Sequence, residues 1–151
     1  MGERQSQSGA DDQQKFERGL AVTLRAFGCL DLLALVAVMM PERWMAAGHQ
    51  WAGLGPLPEG PLVGYLARSS SALYALHGAT VLFVSFDIRR YWRLITFLAA
   101  IALIHGVIML GIDLAEGMPK WWTAIEGPCF AATGTIVLLL QRLAVASWEN
   151  K

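Results

Sequence analysis

The chain has 151 residues, 55% hydrophobic and 16% charged, with a formal net charge of zero. A soluble domain carries roughly a quarter charged residues, so this composition points to a membrane class. The neutral balance gives no global field for nucleic acid, and Cys29 and Cys129 form no Cys-x-x-Cys or Cys/His spacing that would hold zinc.

Residues 1–18 are polar and predict a disordered cytoplasmic tail. Four apolar stretches follow, at about 19–40, 61–86, 93–113 and 123–143. Each approaches the roughly 20 residues a helix needs to cross the hydrocarbon. None alternates as a strand would. The first is longer than the roughly 7–15 apolar residues of a signal peptide. Residues 144–151 read as a second cytoplasmic tail. The expected fold is therefore all-α: an integral membrane four-helix bundle over residues 19–143.

Orientation follows from Lys and Arg outside the spans. Arg4, Lys15, Arg18, Arg89, Arg90, Arg93, Arg142 and Lys151 fall on one side, and only Arg43 and Lys120 on the other. The positive-inside rule then puts both termini in the cytoplasm. Trp44, Trp51, Tyr65, Trp121 and Trp122 would mark the outer interface, and Tyr91, Trp92 and Trp148 the inner one. In the first outer loop, Trp44, Ala47 and Trp51 fall on one helical face, which predicts a short amphipathic helix lying in the interface. The middle loop, 87–91, is short enough to make spans two and three antiparallel neighbours.

The two outer loops share features in one order. Asp31-Leu32, Met40-Pro41-x-x-Trp44 and Glu59-Gly60-Pro61 are matched by Asp113-Leu114, Met118-Pro119-x-x-Trp122 and Glu126-Gly127-Pro128. The order suggests duplication into two parallel hairpins, with each Glu-Gly-Pro opening a span. Each piece also has an ordinary explanation, because Pro suits a first helical turn and Trp an interface.

Ionisable groups at membrane depth are costly, about 2.5–3.5 kcal/mol for Asp or Arg at the centre. Arg25 can snorkel to the inner end. Glu59, Asp113 and Glu126 read as outer-face acids. Asp31 and Arg68 lie about 14 Å and 10 Å below the outer end and predict an intramembrane ion pair. His77 and His105, each followed by Gly, converge near the bilayer centre on spans two and three. They are candidates for binding haem b or a quinone. The plainer reading is that they glue helices through hydrogen bonds, with the glycines allowing close packing. No catalytic constellation, metal cluster or phosphate loop is present in the sequence.

With these spans, His-Gly pairs and polar tail, residues 19–143 resemble small DoxX-like proteins of the bacterial inner membrane. That resemblance lies in size and architecture, and it implies a multi-pass inner-membrane location but no site residue. Three functions stay open. One is a non-catalytic accessory subunit or homo-oligomer within a larger membrane complex. Another is a redox subunit using His77 and His105. The third is a small transporter with a polar path at Asp31 and Arg68, extended by Asp113 and Glu126.

Overall fold

In the computed structural model the backbone is described for residues 2–149 and side chains for residues 14–145. Among the described residues all regular structure is helical, without strands. The helices are α1 (Gly2–Leu32), α2 (Ala34–Met39), α3 (Glu42–Trp51), α4 (Pro61–Val84), α5 (Ile88–Glu116) and α6 (Lys120–Glu149). Three stretches are long and apolar enough to cross a membrane: Gln14–Met39, Ile88–Glu116 and Lys120–Val145. Helix α4, at 24 residues, is also long enough, but Arg68, Ser69–Ser71 and His77 dilute its apolar character.

Several boundaries differ from expectation. Helix α1 starts at Gly2, so the segment read as a disordered tail is helical; its Glu, Arg, Gln, Ala and Lys residues are good helix formers. A single turn residue, Leu33, separates α1 from α2, which runs on along α4. The loop helix α3 forms as expected, with Trp44 and Trp51 turned outward at 58% and 87% exposure. Helix α6 begins at Lys120 and passes straight through Pro128, so Glu126-Gly127-Pro128 opens no helix. By contrast Gly60, at φ 119°, and Pro61 do open α4.

That difference clarifies the repeat. In both halves Met-Pro starts a helix, and the proline carbonyl accepts from the tryptophan amide three residues on. Trp44 N lies 2.9 Å from Pro41 O, and Trp122 N 2.8 Å from Pro119 O. In the second half the helix so opened is α6. In the first half it breaks after Trp51 and resumes at Pro61.

The long helices pair as α1 with α4 and α5 with α6, and the pairs meet mainly through α1 against α6. Glycines set both pairings. A Cβ on Gly78 would lie 2.6 Å from Gly28 O, and one on Gly106 would lie 2.5 Å from Gly127 O. Those separations are below van der Waals contact, so only glycine lets the backbones approach this closely. Helices α4 and α5 are joined by the short Ser85–Asp87 turn yet touch little beyond it. They are antiparallel but not closely packed neighbours, contrary to the inference from loop length. Leu20, Leu24, Val81, Val84, Ile95, Ala99 and Val137 form the core near the Ser85–Asp87 end. Elsewhere large apolar side chains such as Leu73, Leu76, Phe97, Ile104 and Val107 point outward. Apolar exposure on this scale is foreign to a soluble monomer.

Candidate functional site

The slack seam between α4 and α5 holds a crevice of about 320 Å³, lined by Ser70, Tyr74 and His77 of α4, Ala102 and His105 of α5, and Phe130 of α6. His77, Ala102 and Phe130 also wall a second cavity of about 180 Å³ among α1, α4, α5 and α6. This inner cavity is apolar except for Asp31, His77, Glu126 and Thr133. His77 therefore stands on the partition between the two spaces.

Local helix geometry explains that position. Successive helical residues are turned by about 100°. Gly78 and Gly106 face their partner helices inside each hairpin. The histidine one position earlier in each pair is thereby turned to the edge of the hairpin contact, where it reaches the seam, and His77 still meets α1 through Asp31. The glycines serve helix packing and leave no slot of their own for a flat cofactor.

His77 Nδ1 lies 2.8 Å from Asp31 Oδ2. With Asp31 as a carboxylate, which only accepts, this contact places the hydrogen on Nδ1. The other ring nitrogen, Nε2, makes no hydrogen bond among the described residues. The Asp31 side chain is 15% exposed and that of His77 36%, so the acid is covered and the imidazole is open. His105 differs: its Nε2 sits 3.4 Å from the Tyr74 hydroxyl, and its ring packs edge-on to Phe130. Tyr74 stacks on Phe130 in turn.

The remaining sequence candidates separate. Arg68 does not meet Asp31; its guanidinium donates to the Met40 carbonyl at 3.1 Å, at the C-terminal end of α2. A cation there opposes the negative end of the helix, and Asp31, two turns deeper, is left to His77. Arg25 lies over the Phe86 ring at 5.3 Å, beside the Ser85–Asp87 turn. Glu59 stays exposed in the loop before α4. Glu126 is half-buried, accepts from Trp122 Nε1 and faces the inner cavity rather than the surface. Asp113, expected to be a solvated end residue, is only 3% exposed. The turn after α5 folds back over it: Gly117, at φ 67°, and Met118 both donate to its carbonyl. Asp31 and Glu126 thus share a cavity that Arg68 and Asp113 do not line, which interrupts the imagined polar path.

Tyr74 and Phe130 were not singled out in the sequence as site residues. Tyr74 lies one turn from His77 on α4, so helical spacing alone could have flagged it. Phe130 comes from another helix, and nothing local marks it. Among the described residues no group of three or more His, Cys, Asp or Glu could hold a metal ion.

The chain matches no family model, no curated protein and no solved structure.

Proposed function

We propose that this is a four-span membrane protein, with both termini cytoplasmic, whose α4–α5 crevice binds a lipid-soluble quinone. The observation that carries the reading is His77, clamped by Asp31 through one ring nitrogen and open to the crevice through the other. Held in this way, a neutral imidazole accepts a hydrogen bond from a hydroquinone hydroxyl at Nε2. The imidazolium donates from the same atom to a quinone carbonyl. Tyr74 and His105 offer a second polar anchor across the seam, and Phe130 offers a ring face. The volume suits one ring and the start of a tail, near the lower end of small-molecule sites, roughly 300–1,000 Å³.

The four-span reading rests on the 24 residues of α4, enough to cross the hydrocarbon, on the outward apolar side chains and on the Lys/Arg asymmetry. Helix α3, with Trp44 and Trp51, would lie in the outer interface. The likeness to DoxX-like inner-membrane proteins agrees with this architecture and adds no residue to the site. Haem b is less well served than a quinone. Axial ligation asks each imidazole to turn a nitrogen to one iron, whereas the His105 ring is held at Nε2 by the Tyr74 hydroxyl and packs edge-on to Phe130. An accessory-subunit role draws on small-residue faces for partners, but the closest glycine approaches are used inside the chain.

The test is calorimetric titration of the detergent-purified protein with a short-tailed quinone. Saturable binding that is lost in His77→Ala and weakened in Asp31→Asn is the expected result; it should be kept in His49→Ala, a histidine of α3 that meets the Gly55 carbonyl and does not line the crevice. Binding that is indifferent to His77 would overturn the site. Visible spectra should show no Soret band when haem is supplied during expression. Reporter fusions at each terminus should both be active only in the cytoplasm.

A further inference from the structure

The two spaces that His77 divides differ in what they hold. The crevice meets the open side of the imidazole, while the inner cavity holds Asp31, the acid bound to Nδ1. Of the titratable groups on the cavity wall, α1 supplies Asp31, α4 supplies His77, α6 supplies Glu126 and Cys129, and α5 supplies none. No Lys or Arg lines it, and Arg68 is held by the Met40 carbonyl. On the crevice side the further titratable groups are Tyr74 and His105. Carboxylates at membrane depth with no cation beside them are balanced most readily by protons, and successive Asp, Glu and His groups there mark proton relays.

The cavity is closed at one end and polar at the other. Leu24, Val81, Ile95, Ala99 and Val137 belong both to its wall and to the core near the Ser85–Asp87 turn, so apolar packing seals that end. Glu126 lies toward the opposite end, about 9 Å along α6 from its start at Lys120. Trp122 Nε1 donates to one of its oxygens. Asp31 adjoins the same end of α1, one residue before Leu32. A volume of about 180 Å³ has room for several waters at roughly 30 Å³ each, and Asp31, Glu126 and Thr133 supply the polar partners that such waters need.

We infer that Glu126, this cavity and Asp31 form a proton route from the outer face to His77, and that binding of an oxidised quinone draws one proton along it. With Asp31 a carboxylate and His77 a neutral imidazole, the pair holds one hydrogen, on Nδ1. A hydroquinone hydroxyl donates to the bare Nε2, and nothing more is required. A quinone carbonyl only accepts, so Nε2 must gain a hydrogen. One proton enters from solution, and the pair then carries two, one on Nε2 and one in the contact between Nδ1 and Asp31. No electron moves and no bond of the ring breaks. The sealed end adjoins the cytoplasmic turn, so the proton arrives from the side of Glu126. The inference rests on the quinone and membrane readings above and adds to them the proton and its path.

The experiment titrates full-length protein in detergent with a short-tailed benzoquinone and, kept reduced, its hydroquinone. Calorimetry in buffers of different ionisation enthalpy counts the protons taken up. The oxidised ring should take up one proton. Its affinity should therefore fall as pH rises, by roughly tenfold per pH unit on the alkaline side of neutral. The hydroquinone should take up none and bind evenly over that range. Rapid mixing with a pH-indicator dye measures how fast the proton arrives. Glu126→Gln, which can still accept from Trp122, should slow uptake several-fold and leave the proton number unchanged. Glu126→Asp keeps a carboxyl and should retain most of the rate, and Glu59→Gln, in the exposed loop before α4, should retain all of it. In Asp31→Asn, whatever binding remains should take up no proton. Equal proton numbers for the two rings would overturn the coupling. A rate indifferent to Glu126→Gln would overturn the path. Wild-type protein that binds neither ring would refute the quinone reading itself, and the proton route with it.

Discussion

Gly78→Ala, set against Gly111→Ala, tests the glycine crossing that places His77. Both glycines lie inside long helices, and Ala is favoured over Gly there by roughly 0.8–1.0 kcal/mol. At Gly111 an added Cβ meets nothing within 4 Å, so that variant keeps the whole gain. At Gly78 the Cβ would stand 2.6 Å from Gly28 O, 2.8 Å from Asp31 Cβ and 2.8 Å from Leu32 N. Two of these three atoms are backbone, so relief requires α1 and α4 to move apart. Overpacking of this kind costs about 1–3 kcal/mol. The propensity gain is common to both variants, so their difference in stability should equal the overpacking cost. For a chain of this size about 1–3 kcal/mol corresponds to roughly 2–12 °C in melting temperature. The same separation would stretch the 2.8 Å contact between Asp31 and His77, so quinone affinity should fall in Gly78→Ala and hold in Gly111→Ala. Fluorescence-detected thermal unfolding in one detergent, followed by titration of both variants, measures the two effects. If Gly78→Ala melts with Gly111→Ala and binds equally well, the helix-crossing argument is wrong.

Other residues give sharper local tests. Arg68→Leu should lower yield or melting temperature by removing the cap on the Met40 carbonyl, and adding Asp31→Asn should not restore it, since Asp31 pairs with His77. Recovery in the double variant would reinstate the Asp31–Arg68 pair. Trp121→Phe removes the indole donor to the Ala52 carbonyl, a bond worth about 0.5–1.5 kcal/mol. Limited proteolysis should then cut faster within residues 52–60, and an unchanged rate would show that this bond does not restrain the loop. Gly117→Ala places a side chain at φ 67° and should cost roughly 1–2 kcal/mol, read as a lower melting temperature than that of Gly111→Ala.

Helix content and the three most apolar stretches were legible because they depend on composition and length, which the sequence carries directly. The loop helix was legible too, because Trp44, Ala47 and Trp51 repeat at helical spacing within one short segment. Partner choice was not. Asp31 and Arg68 were matched by depth alone, whereas pairing also requires the right face of each helix, and the Gly28–Gly78 crossing turns Asp31 toward His77 instead. Loop length suggested that α4 and α5 pack closely, but close packing depends on small residues at the contact, and the glycines that provide it lie between other helices. Asp113 read as solvated because it ends an apolar run. Its burial depends on Gly117 and Met118 folding back over the helix end, a turn whose direction the run of residues does not announce. The tail before residue 19 is polar enough to stay unfolded but composed of residues that also favour helix, so composition alone did not choose between the two.

The pairing of the helices has a consequence for how the molecule is made. Each glycine-set partnership, α1 with α4 and α5 with α6, joins segments that are successive long helices in the chain, so each is available soon after its second member is synthesised. The main seam between the two pairs joins α1 to α6, the first long helix to the last. Contacts so far apart in sequence form late, because the intervening chain must be ordered first. This helix bundle is therefore closed by α6, which must reach back to α1. Until it does, the inner face of α1 waits unpartnered beside a finished hairpin.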